Sequence, residues 1–182
     1  VRDVLTCGAP AFGANWPELI VLPKGKTNAL AVDIGTPGKW HLDQALEAAR
    51  AGKRIHRRPL AIVPADGGET IYGFFLGAGA FTLGTDAGQD AHRLGAFNSF
   101  AVGITIVWSI LQTLFGRKGN PWRACTPLKL THAATGKPLP HGPHGTPGER
   151  FLMIATVFER FPLGVRPFGK DVPAGIKLGL LD

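Results

Sequence analysis

The sequence predicts an α+β chain in which a short α/β piece, residues 1–51, precedes a β-rich domain, residues 52–182. Two observations predict it. Gly and Pro number 25 and 15 of the 182 residues, which favours short strands and frequent turns over a helical bundle. The patterning also changes at Gly52, from helical spacing of apolar residues before it to β-like runs broken by turn signals after it. With 45% hydrophobic residues the chain can bury a real core.

Taken in order, residues 1–5 read as part of a helix, followed by a Gly/Pro-rich connection through Cys7-Gly8-Ala9-Pro10. Leu19-Ile20-Val21-Leu22, closed by Pro23, has the look of a buried parallel strand. Lys24-Gly25-Lys26-Thr27-Asn28 then leads into Ala29-Leu30-Ala31, where a helix can open. Residues 40–51 form a clearer helix, with Leu42, Ala45, Leu46 and Ala49 on one face and Gly52 as its stop. Beyond it, residues 53–65 are β-like, and Asp66-Gly67-Gly68 is a hairpin turn into residues 70–76. A Gly-rich stretch, Gly77-Ala78-Gly79-Ala80, precedes a helix expected around 86–94. Residues 123–132, 151–158 and 176–181 read as strands, with a Pro/Gly/His loop at 136–148.

The net charge of +7 points to an anionic partner: nucleic acid, membrane headgroups or phosphates. Cys7 and Cys125 are far apart and form no C-x-x-C pair, as expected of a reducing, cytoplasmic compartment and not of a disulfide scaffold. The opening residues lack a signal-peptide pattern.

Chemistry concentrates at Leu22-Pro23-Lys24-Gly25-Lys26-Thr27-Asn28. A turn between a strand and a helix start presents backbone N–H groups outward, Gly25 permits close approach, and Lys24 and Lys26 add charge. That combination suits a phosphate, although a plain structural turn is the commoner use of such a junction.

The stretch from Leu22 through Lys24, Gly25, Lys26, Thr27 and Asn28 to Ala31 resembles the Leu-Pro-x-Gly-Thr-x-Asn-Asp element of the diacylglycerol kinase and sphingosine kinase family. Further segments match in the same order. Phe74-Phe75-Leu76-Gly77-Ala78-Gly79-Ala80 resembles that family's apolar strand and Gly-rich turn. Thr156-Val157-Phe158-Glu159-Arg160-Phe161-Pro162-Leu163-Gly164-Val165-Arg166-Pro167 is similar to its later strand and loop. The resemblance spans essentially the whole chain. It implies a partial α/β nucleotide-binding domain over 1–51, a β-sandwich-like C-terminal domain with inserted helices over 52–182, and ATP- and Mg²⁺-dependent phosphoryl transfer to a lipid hydroxyl. Lys24, Gly25, Lys26, Thr27 and Asn28 are the implied nucleotide-binding residues. The family's Gly-Gly-Asp-Gly-Thr loop would precede the helix at residues 1–5, so the chain by itself is expected to be inactive. Lys26 stands where the family has Thr, Ala29 where it has Asp, and Pro173-Ala174-Gly175-Ile176 where it has Asp-Gly-x-Leu. Asp86 and Asp171 are the candidate catalytic acids, and each competes with a solvated or capping role.

Residues 99–115 carry no charge. On a helical wheel Phe100, Ile104, Val107, Trp108, Leu111 and Phe115 share one face, which either packs on the β-rich domain or helps meet a lipid. Arg117, Lys118, Trp122 and Arg123 follow, a basic and aromatic mixture suited to anionic headgroups. A lipid substrate, an anionic membrane surface and peripheral membrane association are expected on this reading. His141 and His144 lie in a Gly/Pro loop read as mobile surface, and no metal is assigned to them. Two alternatives compete: a catalytically dead lipid-binding relative, favoured by Lys26, Ala29 and Ala174, and a nucleic-acid binder using Lys53, Arg54, Arg57, Arg58 and residues 117–123. Against the second, the aromatic residues fall in apolar runs and are not interleaved with the basic ones, so nucleic acid is not the expected partner.

Overall fold

The computed structural model describes residues 2–25, 28–93, 112, 115, 117 and 119–182. These residues mix helices and strands, so the chain is α+β. It divides into two compact units: Val1–Phe75 with Thr156–Lys177, and Leu76–Ala155 with Leu178–Asp182. Gly52 lies inside the first unit.

The first unit opens with helix α1, Arg2–Phe12. It runs straight through the expected connection at residues 7–10, with Pro10 inside the helix. Having no N–H, Pro10 leaves the Thr6 carbonyl without its ladder bond, one bond lost in the helix. The helix ends on Gly13, at φ 54°. Leu5 and Gly8 face inward, and a side chain at Gly8 would collide with the Trp16 ring, 2.7 Å from a Cβ. Residues 19–22 do not form the expected strand. A buried parallel strand needs neighbours on both edges; none pairs here among the described residues, and Leu19 and Ile20 remain 51% and 42% exposed.

Helix α2 is short, Ala29–Asp33. Helix α3, Leu42–Arg50, is set by a capping box in which the His41 N–H donates to the Gln44 side chain at 2.9 Å. Gly52, at φ 74°, follows it as expected. Its apolar face is narrower than its spacing suggests: Ala45 is buried, while Leu42 is 54% and Leu46 37% exposed. Strands β1, Leu60–Ile62, and β2, Ile71–Gly73, pair antiparallel with Ala61 opposite Tyr72. The hairpin is the expected one. Asp66 fixes its turn by accepting from the Gly68 N–H at 3.1 Å. Helix α1 meets β2 through Thr6, whose hydroxyl accepts the Tyr72 N–H at 3.2 Å.

The chain returns to this unit at residues 156–177. Thr156 is fully buried; its hydroxyl donates to the Phe74 carbonyl at 2.8 Å and accepts from the Phe158 N–H at 3.1 Å. Phe158 stacks on Phe74 with ring centroids 6.1 Å apart.

In the second unit, strand β3, Phe75–Gly79, turns directly into helix α4, Ala80–Arg93. The helix starts earlier than expected because the Gly-rich stretch is strand only through Gly79 and its last residue, Ala80, already opens the helix. Gly79, at φ 71°, makes the corner, and the Ala80 N–H donates to the Phe151 carbonyl at 2.8 Å. Strands β4, Thr126–Pro127, and β5, Glu149–Arg150, pair antiparallel. Strands β6, Leu152–Thr156, and β7, Lys177–Leu181, join β3 in a three-stranded sheet of order β3-β6-β7. Apart from the end residues Phe75, Thr156 and Lys177, these strands belong to the second unit. The amphipathic segment at 99–115 lies outside the described residues except for Gln112 and Phe115.

Candidate functional site

The turn at residues 22–28 is closed locally. The Gly25 N–H donates to the Asn28 side-chain oxygen at 2.8 Å, and Asn28 sits in the left-handed region, φ 49°. Asn tolerates that conformation because its short polar side chain bonds nearby backbone. Pro23 is buried below the turn, while Lys24 is exposed with its Nζ 3.5 Å from the His41 Nδ1. Lys26 and Thr27 lie outside the described residues. Lys24, Gly25 and Asn28 are therefore together on one turn, with Lys26 two positions after Lys24 in the sequence.

At the far end of α2 the structure builds a denser arrangement, around a residue that the sequence did not single out. Asp33 is 1% exposed. One of its oxygens accepts the backbone N–H groups of Glu159, at 2.6 Å, and Arg160, at 3.0 Å. The other accepts Arg57 Nε at 2.8 Å, and Arg57 Nη2 reaches Glu159 at 2.9 Å. A buried carboxylate must be matched in this way or it unfolds its surroundings. The hydrogen bond to Asp33 holds the Arg57 guanidinium above its ordinary value, partly opposed by burial and aided by the charges of Asp33 and Glu159. One signal was readable: an acid closing the apolar run Ala29–Val32 sits at a helix C-terminus, the end that disfavours negative charge. Its partners, 126 and 127 residues further on, were not readable.

From Glu159 and Arg160 onward, residues 159–177 line a half-open cavity of about 580 Å³, within the range of small-molecule sites. Arg160, Arg166 and Lys170 are exposed around it, Phe161 and Phe168 contribute rings 6.0 Å apart, and Lys177 is buried. Gly35, at φ 73°, leaves room for the Arg160 guanidinium; a Cβ there would lie 3.0 Å from its Nη1.

The candidate acids are elsewhere. Asp86 is an exposed residue of α4 in the second unit. Asp171 is exposed on the cavity rim with a left-handed backbone, φ 57°. Neither is buried. No group of three His, Cys, Asp or Glu side chains converges among the described residues, and Asp33 is consumed by three donors.

In the second unit, Asp182 gathers the His loop. It accepts from the Gly142 N–H, from Arg150 Nη1, and from His141 Nδ1 at 3.2 Å. The Gly148 N–H donates to His141 Nε2 at 3.3 Å, so the proton sits on Nδ1 and His141 is held from both sides. Arg150, 3% exposed, also donates to the Leu139 and Pro140 carbonyls at 3.1 and 2.7 Å. His141 is thus tied to its loop neighbours and to Asp182, while Gly142, Pro143 and His144 are exposed. Of the membrane candidates, Arg117 and Arg123 are exposed and Trp122 is half-buried; Trp108 and Lys118 lie outside the described residues. No helix among the described residues is long and apolar enough to cross a membrane.

Comparison with known proteins gives no matching family model, no matching curated relative and no matching solved structure.

Proposed function

We propose that the chain is part of an ATP-dependent lipid kinase of the diacylglycerol kinase and sphingosine kinase type, contributing phosphate-binding and lipid-facing surface. The observation that carries this reading is the Asp33 tie. Two segments that resemble separate elements of that family, residues 22–31 and 156–167, are joined by the bonds from Glu159 and Arg160 to the residue that ends α2. Elements that must cooperate on one substrate need such a connection, because phosphoryl transfer depends on positioning and charge neutralisation more than on covalent chemistry. On this reading residues 1–51 belong to a nucleotide-binding α/β domain and the β-rich remainder to a sandwich-like domain. Lys24 and Lys26 neutralise nucleotide phosphates, while Gly25, Thr27 and Asn28 shape the turn. The uncharged segment 99–115 with Arg117, Lys118, Trp122 and Arg123 would approach the anionic membrane in which the substrate resides.

A second reading, a lipid-binding relative without turnover, is favoured by Lys26, Ala29 and Ala174 and by the lack of a base-like carboxylate among the described residues. The deciding experiment uses the full-length protein with diacylglycerol or a sphingoid base in mixed vesicles and labelled ATP. Phosphate transfer to lipid, with ATP affinity lowered about tenfold by Lys24→Ala or Lys26→Ala, is the expected outcome. Vesicle binding without ATP binding would select the second reading. Neither binding nor transfer would refute both.

A further inference from the structure

Lys177 opens β7 at 8% exposure, and its Nζ is buried with no hydrogen-bond partner among the described residues. An ammonium has three donors and is strongly hydrated, so leaving it without a partner is costly. A ligand carrying the counter-charge would relieve that cost. Lys177 lines the half-open cavity formed by residues 159–177.

The rest of that lining has matching chemistry. Arg160, Arg166 and Lys170 are exposed at its edge. The acids are Glu159, already bonded to Arg57, and Asp171. Cations therefore dominate the space, and the tilted pair Phe161 and Phe168 gives it an apolar, aromatic wall. A dianionic group with several acceptor oxygens, attached to a flat or apolar body, satisfies each of these features at once. A monoanionic carboxylate would leave most of the positive charge uncompensated.

We propose that this cavity binds a phosphate monoester, with Lys177 as its inner cation and Arg160, Arg166 and Lys170 around the entrance. The proposal is separate from the kinase reading: it concerns anion binding alone and stands whether or not ATP is ever turned over. Asp33 supports it indirectly, since its bonds to the backbone of Glu159 and Arg160 fix one edge of the cavity.

The test is calorimetric titration of the chain with phenyl phosphate, inorganic phosphate and acetate, alongside sedimentation with phosphatidylcholine vesicles with and without phosphatidic acid. Phenyl phosphate should bind at least about tenfold tighter than acetate, and Lys177→Met should weaken it at least about tenfold, as loss of a charge-assisted contact implies. The exposed double variant Arg166→Gln/Lys170→Gln should weaken it by about threefold and flatten its salt dependence, and it decides the matter if Lys177→Met fails to fold. Binding to phenyl phosphate assigns a soluble monoester. Lys177-dependent binding to phosphatidic acid vesicles alone assigns a lipid headgroup. Absence of binding to every phosphate-bearing probe, equal affinity for acetate, or affinity that a folded Lys177→Met variant leaves unchanged would each overturn the proposal.

Discussion

Replacing Asp33 isolates what the buried carboxylate contributes. Asp33→Ala removes the acceptor of two backbone N–H groups and of Arg57 Nε. Each of these part-buried amide bonds to a charged acceptor contributes about 1.5–3 kcal/mol. Arg57 is only partly stranded, because its side chain is 20% exposed and keeps Glu159. The expected loss is about 3–5 kcal/mol, a large share of a typical domain's stability. Asp33→Asn is the informative control. Its amide oxygen still accepts the two backbone N–H groups, while its NH₂ faces Arg57 Nε, donor against donor, so the loss should fall to about 2 kcal/mol. Equilibrium urea unfolding, followed by tryptophan fluorescence, measures both. The reasoning fails if Asp33→Ala lies within about 0.5 kcal/mol of the parent, inside the range of an ordinary surface change. It also fails if Asn costs as much as Ala.

Other consequences are equally specific. The Gly142 N–H, together with Arg150, holds the Asp182 carboxyl below the usual carboxylate range, against the opposing effect of burial. Its contribution is therefore complete above the unfolded value of about 4 and is lost as pH falls through the lower folded value; acid-unfolding curves of Asp182→Asn should be flatter over that window, and identical curves would exclude the tie. Gly79→Ala would place a Cβ 2.3 Å from the Phe151 carbonyl oxygen at φ 71°, so a loss of about 3 kcal/mol is expected in thermal unfolding. If the membrane reading holds, the protein should co-sediment with anionic vesicles at low salt and be released as salt rises. Changing Arg117, Lys118 and Arg123 together to Gln should then remove most of that binding, at about 1 kcal/mol per cation; equal binding to neutral vesicles would exclude the electrostatic part.

What the sequence made legible follows from how local each signal is. Helix α3 with its Gly52 stop, the turn at Asp66-Gly67-Gly68 and strand β7 are each encoded within a few neighbouring residues, and each is present. Residues 19–22 carried an equally apolar local pattern, but a strand is completed by partners elsewhere in the chain. Pro10 reads as a breaker, yet α1 continues through it to Phe12. The Lys24–Asn28 turn was visible as a Gly-containing junction, whereas Asp33 and Lys177 looked like ordinary surface charges. Their importance lies in what surrounds them: distant backbone amides for Asp33, and for Lys177 a half-open cavity with no hydrogen-bond partner for its Nζ among the described residues. Neither property exists until the chain has folded back.

That return has a consequence for the order of events during synthesis. The amides that satisfy Asp33 belong to residues 126 and 127 positions downstream. At about 5–20 residues per second, a ribosome takes roughly 6–25 s to supply them. Meanwhile the carboxylate must stay hydrated, and the surface destined to surround it stays open. The intervening stretch, residues 76–155, emerges first and holds most of the second unit. A nascent chain stalled near residue 155 would thus present Asp33 and Arg57 without Glu159, an unfinished apolar pocket around Phe74 without Phe158, and a clear target for chaperone binding.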